Sequence, residues 1–69
     1  MGDIARIEFD AVVATTPKAV LLEVQGEDVW VPRSVIVDPK EGEGMDRGDP
    51  AGEVEILSWF ARKEGLDHG

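Results

Sequence analysis

The sequence AVLLEVQGEDVWVPRSVIV, residues 19–37, decides the fold because it reads as two strands joined by a tight turn. In its first half Val20, Leu22 and Val24 alternate with more polar neighbours, as in a strand with one buried face. Gly26 follows among polar and acidic residues. Glycine adopts positive φ without steric penalty, so its position here predicts a hairpin turn.

The second half of this stretch predicts a strand that is partly exposed. Val29 and Val31 share one face of an extended chain, and Trp30 takes the other. Pro32 cannot donate to a sheet ladder, so the strand ends there or lies at an edge. A short turn follows, and residues 35–37 are expected to resume as a third extended run.

The chain before the hairpin predicts a further strand. Residues 4–14 alternate in a way that favours a half-buried strand over a helix. The expected inward residues are Ala5, Ile7, Phe9 and Ala11. Pro17 interrupts the pattern and favours a turn at residues 15–18.

After the hairpin the composition changes. Residues 38–53, DPKEGEGMDRGDPAGE, contain four glycines and two prolines and predict a long, mobile, acidic loop. Residues 53–57 predict a last strand. Ser58 is expected to be the N-cap of a short helix that ends before Gly65, a residue suited to a left-handed C-terminal cap.

The expected architecture is a single domain of residues 1–69, mainly β, with one short C-terminal helix and a flexible acidic loop at about 38–52. About five antiparallel strands would form a small SH3-like or OB-like open barrel or a bent sheet. The sequence has no cysteine, which excludes disulfides and thiolate zinc sites.

Charge is the most pronounced compositional feature. Fifteen acidic residues against seven basic ones give a net charge of −8. Direct nucleic-acid binding is not expected, because phosphate contacts need clustered Lys and Arg. An acidic surface suits a basic protein partner, although acidic residues also simply keep small proteins in solution. With no signal peptide or membrane span predicted, a cytoplasmic location is expected.

The sequence predicts neither an enzyme nor a cofactor or metal site. The one histidine, His68, lies next to the last residue, where a catalytic role is not expected. The acidic residues of the predicted loop do not follow the calcium-loop pattern, which fails at Arg47 and Pro50. The run around Gly42 lacks the lysine and hydroxyl of a phosphate-binding loop.

The candidate partner-binding residues are an aromatic, a cation and four acidic side chains. Tryptophan and arginine are enriched at interface hot spots, which favours Trp30 with Arg33 nearby. The acidic group comprises Glu41, Glu43, Asp46 and Asp49. The competing interpretation is that Trp30 and Trp59 pack in or around the thin core.

Three segments together resemble small proteins encoded by bacteriophages and prophages. These segments are T-x-K-A-x-L-L-x-x-x-G from Thr16, V-W-V-P-R-S-x-I from Val29, and I-x-x-W-x-A-x-K-x-G-L from Ile56. The resemblance covers about residues 15–66. Where that group often has an I-P-x-W turn, this chain has Leu57 and Ser58. The resemblance implies an accessory protein that binds a host protein, a type that includes anti-CRISPR inhibitors of bacterial defence.

Three functions therefore stay open at the level of sequence. The first is a non-enzymatic accessory that engages a basic, nucleic-acid-handling host protein. The second is a nucleotide binder in which Trp30 stacks on a base and Arg33 or Arg62 holds phosphate. The third is a structural or regulatory phage component. An exposed edge strand also leaves a homodimer open.

Overall fold

The described residues form five strands in two antiparallel sheets that do not close into a barrel. The structure is a computed structural model that describes residues 3–66. The strands are β1 (Ile4–Phe9), β2 (Ala11–Thr15), β3 (Ala19–Val24), β4 (Glu27–Pro32) and β5 (Gly52–Leu57). One sheet pairs β1 with β5, and the other has the order β2-β3-β4. The prediction of a mainly β fold built on a bent antiparallel sheet is confirmed.

The bend lies at Asp10, between β1 and β2, and divides the single strand that residues 4–14 predicted. Ile7 and Phe9 are buried as expected. Beyond the bend the inward side changes, because Val12 is buried whereas Ala11 pairs with Glu23 on the outer face. The expectation that Ala11 shares a face with Phe9 is therefore wrong. A bulge between Val12 and Ala14 shifts the register once more.

The predicted hairpin is confirmed. β3 and β4 are joined by a two-residue turn. Val24 lies opposite Glu27 next to the turn, and Ala19 lies opposite Pro32 at the far end of the ladder. Both turn residues have positive φ, 52° at Gln25 and 83° at Gly26. This is the type I′ pattern, whose twist matches that of the flanking strands.

The chain after Pro32 departs from the predicted third extended run. Residues Arg33–Val35 form a single 3₁₀ turn, in which Val35 is buried. Only Ile36 then makes a β-bridge, to Ile56 of β5. After β4 the chain leaves the three-stranded sheet and crosses to the β1–β5 sheet. It meets β5 at the single bridge of Ile36, so the extended run is short.

The acidic segment, predicted as a long loop, contains a short helix. Helix α1 (Pro39–Glu43) begins at its N-cap Asp38, whose Oδ1 accepts from the backbone N–H of Lys40 at 3.0 Å. Pro39 occupies the first helical position, where its missing N–H costs nothing. Beyond α1, Met45 is buried in the core.

The C-terminal helix α2 (Ser58–Lys63) starts one residue earlier than predicted. Leu57 is its N-cap, and Ser58 is the first helical residue, so Ser58 does not cap the helix. The predicted end is confirmed, since Gly65 has φ 72°. The N–H of Leu66 donates to the carbonyl of Ala61 at 2.7 Å, which completes a Schellman motif.

The core is one cluster that joins both sheets, the 3₁₀ turn and helix α2, and it includes Met45, which follows α1. Its fully buried members include Val20 and Leu22 of β3, Ile56 of β5 and Ala61 of α2. No polar or charged side chain among residues 3–66 is buried. No helix in this part of the chain is long and apolar enough to cross a membrane.

Candidate functional site

An apolar row crosses the outer face of the three-stranded sheet. Because Val20 and Leu22 point into the core, Leu21 between them points outward. The register pairs Leu21 with Ala14 of β2 on one side and with Trp30 of β4 on the other. Ala19 and Pro32 form the next pair on the same face. We call Ala14, Ala19, Leu21, Trp30 and Pro32 the Trp30 face.

Two turns hold this face in place, one at each end of β3. The Gln25–Gly26 turn fixes the register of β4, so Trp30 lies opposite Leu21. At the other end, the Thr16 Oγ1 accepts from the backbone N–H groups of Lys18 and Ala19 at 3.3 and 2.9 Å. That local turn directs β2 back into β3.

Trp30 is the large exposed member of the Trp30 face. Its side chain is 50% exposed, whereas Leu21 and Ala14 are half-buried. The predicted placement of Trp30 opposite Val29 and Val31 is confirmed, since Val31 is buried and Val29 packs against the core. Trp30 is therefore not a buried core residue, and packing at the rim of the core stays the competing interpretation.

Acidic residues border one side of the Trp30 face. Glu23 and Asp28 form the cross-strand pair next to Leu21 and Trp30, on the same outer surface. Glu27 follows at the hairpin end and is exposed. Glu27 pairs with the buried Val24 and therefore lies on the opposite side of β4 from Trp30. An exposed aromatic ring beside the two carboxylates of Glu23 and Asp28 favours a partner that brings apolar and cationic groups together.

Arg33 is held by the fold rather than projecting beside Trp30. Its Nε donates to the carbonyl of Thr16 at 3.0 Å, and its Nη1 donates to the carbonyl of Gly42 at 2.8 Å. These bonds join the β2–β3 turn to helix α1. Arg33 thus binds one carbonyl 17 residues before it in the sequence and another 9 residues after it. Its contribution to partner binding stays a prediction.

The four acidic candidates of the 38–52 segment differ in their surroundings. Glu41 is half-buried, and its Oε1 accepts from the backbone N–H of Glu55 at 3.4 Å. Asp49 is also half-buried, and its Oδ2 accepts from the N–H of Asp46 at 2.8 Å. The side chains of Glu43 and Asp46 are exposed. Two carboxylates therefore support local structure, and two face solvent.

Trp59, the second tryptophan, lies on helix α2 and is 51% exposed. It meets Phe60 edge to face, with ring centroids 5.9 Å apart. Phe60 itself is buried. Trp59 therefore has nearly the same exposure as Trp30 on a different element, which makes it a matched control for Trp30.

Two of the surface clefts are lined largely by charged or polar groups. One of about 360 Å³ lies among Arg6, Glu41, Glu53, Val54 and Glu55. Another of about 210 Å³ lies between the hairpin turn and the end of α2. Ligand pockets are usually apolar with a few polar groups, and carboxylates repel phosphate. Trp30 lines neither of these clefts.

No three His, Cys, Asp or Glu side chains among residues 3–66 are arranged to hold a metal ion. His68, to which the sequence assigned no catalytic role, lies outside the described residues.

Two features of the site were missed from the sequence, the pairing of Leu21 with Ala14 and Trp30 and the presence of helix α1, although each left a signal. Leu21 stands on the otherwise polar side of β3, and an apolar residue there indicates a neighbour on the next strand. The start of helix α1 is indicated by Asp38 as the N-cap, Pro39 at the first helical position and the acidic Glu41 at the third. Neither signal reveals what the face or the helix contacts.

Comparisons with protein-family models, with curated proteins and with solved structures give no significant match to this chain.

Proposed function

We propose that this protein is a non-enzymatic binding module that docks a basic protein partner on its Trp30 face. The observation that carries the proposal is the half-exposed Trp30 at the end of an apolar row, beside Glu23 and Asp28. A tryptophan left at the surface of a thin-cored domain forgoes burial worth about 2–3 kcal/mol. Binding a partner recovers that burial.

The net charge supports a basic partner. At −8, the protein steers positively charged surfaces toward it over roughly a Debye length of 8 Å at physiological salt. The resemblance to phage and prophage proteins supplies the context. We propose a cytoplasmic accessory that binds a host nucleic-acid-handling protein, including as an inhibitor of a defence system.

The test is affinity capture from a bacterial host lysate with the wild-type chain, Trp30→Ala and Trp59→Ala, at low and at moderately high salt. We expect the wild type and Trp59→Ala to retain the same nucleic-acid-handling protein at low salt. Trp30→Ala should lose it, and salt should weaken capture. The binding is then measured with the purified partner.

Equal binding by Trp30→Ala and the wild type would overturn the Trp30 face as the binding surface. Capture of phage proteins alone would favour a structural or regulatory phage component instead. Quenching of Trp30 fluorescence by a free nucleotide, with no protein captured, would favour the nucleotide-binding alternative.

The acidic segment is tested separately with charge reversal at its two exposed acids. Glu43→Lys with Asp46→Lys changes the net charge by +4 and leaves the Glu41 and Asp49 hydrogen bonds in place. The control is Glu8→Lys with Glu53→Lys, which makes the same change on the other sheet. Loss of binding in the first pair only assigns a contact to the segment; equal loss in both pairs indicates general steering.

A further inference from the structure

β4 presents unpaired backbone groups along its outer edge. The N–H of Arg33 donates to the carbonyl of Lys18 at 2.8 Å, so this pair belongs to the hydrogen-bonded set of the β3–β4 ladder. Antiparallel pairs alternate between hydrogen-bonded and non-hydrogen-bonded. The N–H and C=O groups of Asp28 and Trp30 therefore point away from β3. They have no hydrogen-bond partner among residues 3–66.

The outer edges of β2 and β5 are contacted by other segments of the chain. The N–H of Val12 in β2 donates to the carbonyl of Asp49 at 3.1 Å, and Val12 accepts from the N–H of Gly48 at 2.8 Å. Along β5, the carbonyl of Glu55 accepts from Val37 at 3.0 Å. The edge of β4 thus differs from these two edges in offering donors and acceptors next to an exposed tryptophan.

We infer that the basic partner binds by adding an extended strand to the edge of β4. The inference rests on the proposed function and specifies how the partner binds. An added strand would pair with the free groups of Asp28 and Trp30. Its side chain opposite Trp30 would extend the apolar row from Ala14 and Leu21 by one residue.

The side chains along β4 specify the chemistry of that strand. Opposite Asp28 on the outer face and opposite Glu27 on the other face the strand needs Lys or Arg, because both carboxylates are exposed. Opposite Val29 and Val31 it needs aliphatic residues, and opposite Trp30 an aromatic or aliphatic one. The recognised segment is therefore basic at one end and apolar at the other.

A second copy of this chain fits the edge less well than a basic segment. Parallel, in-register pairing of two β4 strands would place Glu27 and Asp28 of each copy opposite the same acids of the other, and antiparallel pairing about Trp30 would place Asp28 opposite Pro32, with no cation opposite it. Each copy also carries a net charge of −8. Like charges on adjacent strands are unfavourable, whereas a basic strand turns the same residues into attractive partners.

The direct test is amide hydrogen exchange, read residue by residue, in the presence of acetylated peptides. Two peptides carry the required side chains opposite residues 27–32 of β4. KRVFVG does so when it binds parallel to β4, and GVFVRK does so when it binds antiparallel. EEVFVG, in which two acids replace the cations, is the control. We expect a basic peptide to bind at low salt about tenfold tighter than the acidic control. Its binding should slow exchange at Asp28 and Trp30 by about tenfold, the change expected for a new backbone hydrogen bond.

Two variants separate the backbone contact from charge. Asp28→Pro removes the outward N–H while the inward ladder of β3–β4 stays intact, as Pro32 already does in this strand. Asp28→Asn removes the same charge and keeps the N–H. We expect Asp28→Pro to lose at least about tenfold more affinity than Asp28→Asn. A third variant, a chemically synthesised chain with an N-methyl group on the Trp30 amide, removes an outward N–H with all side chains unchanged.

The outcomes distinguish this inference from the proposed function. If a captured partner depends on Trp30 but exchange at Asp28 and Trp30 is unchanged on binding, strand addition is overturned and the proposed function stands. If neither basic peptide binds at millimolar concentration and Asp28→Pro binds the captured partner like Asp28→Asn, strand addition is also overturned. If capture does not depend on Trp30, the proposed function itself fails.

Discussion

The β3–β4 hairpin and the 38–51 segment are held in their conformations by different means. The hairpin is defined by its own residues, through an alternating pattern and a two-residue turn with positive φ at Gln25 and Gly26. The 38–51 segment begins with a local signal at Asp38 but is held by distant groups. Arg33 bonds to Gly42, and Val12 bonds to residues 48 and 49. We therefore expect the hairpin to respond mainly to mutations within it, and the 38–51 segment to respond to mutations of distant residues such as Arg33.

The largest effect is expected at the residue on which both regions depend. Leu22 is completely buried in the shared core. Leu22→Ala should lower the free energy of unfolding by about 2–5 kcal/mol, because it leaves a cavity as well as losing burial. Urea unfolding measures this loss, with Leu21→Ala on the half-exposed outer face as the control. A smaller effect at Leu22 than at Leu21 would contradict the single-core description.

A smaller effect, confined to one region, is expected at Arg33. Arg33→Met keeps the apolar stem and removes the bonds to Thr16 and Gly42. We expect a loss of about 1–2 kcal/mol, since both carbonyls can regain water in part. Hydrogen exchange should quicken around Gly44 and Met45 more than in β3. The control is Arg62→Met, whose arginine makes one 3.4 Å exposed contact to Ser58 and should cost little.

A direct comparison of the two regions uses the same change at two glycines. Gly26 and Gly48 have φ of 83° and 90°, and a Cβ at either would meet nothing within 4 Å. Any cost of Gly→Ala is therefore backbone strain, about 1–2 kcal/mol. We expect the full cost at Gly26 and less at Gly48, where the segment can open locally. Equal losses in urea unfolding would show that the segment unfolds only with the core.

The smallest effect is expected to be stabilising. Gln25 holds φ of 52°, a conformation that asparagine adopts more readily. Gln25→Asn creates the Asn-Gly pair preferred in type I′ turns and should raise the free energy of unfolding by about 0.5 kcal/mol. Gln25→Val, which is β-branched, should do the opposite. If Gln25→Asn destabilises the protein, side-chain contacts of Gln25 outweigh its backbone preference.

The sequence predicted the site less completely than the fold. It placed Trp30 on the side of β4 away from the core, because alternation along a strand is a local property. It did not show that Ala14 would lie across from Leu21, since the bulge at Val13 changes the register of β2. It also assigned Arg33 to the binding surface, whereas two of its donors bond to backbone carbonyls.

By itself, the sequence determined the hairpin turn at Gly26 and the helix end at Gly65, because backbone φ and side-chain alternation act over a few residues. Only the tertiary structure decided that Met45 would be buried, that residues 48 and 49 would cover β2, and that the β4 edge beside Trp30 would stay open. Those outcomes depend on which distant segments fit together around one small core. Packing of that kind is set by shape and hydrogen-bond satisfaction across the whole chain rather than by any local pattern.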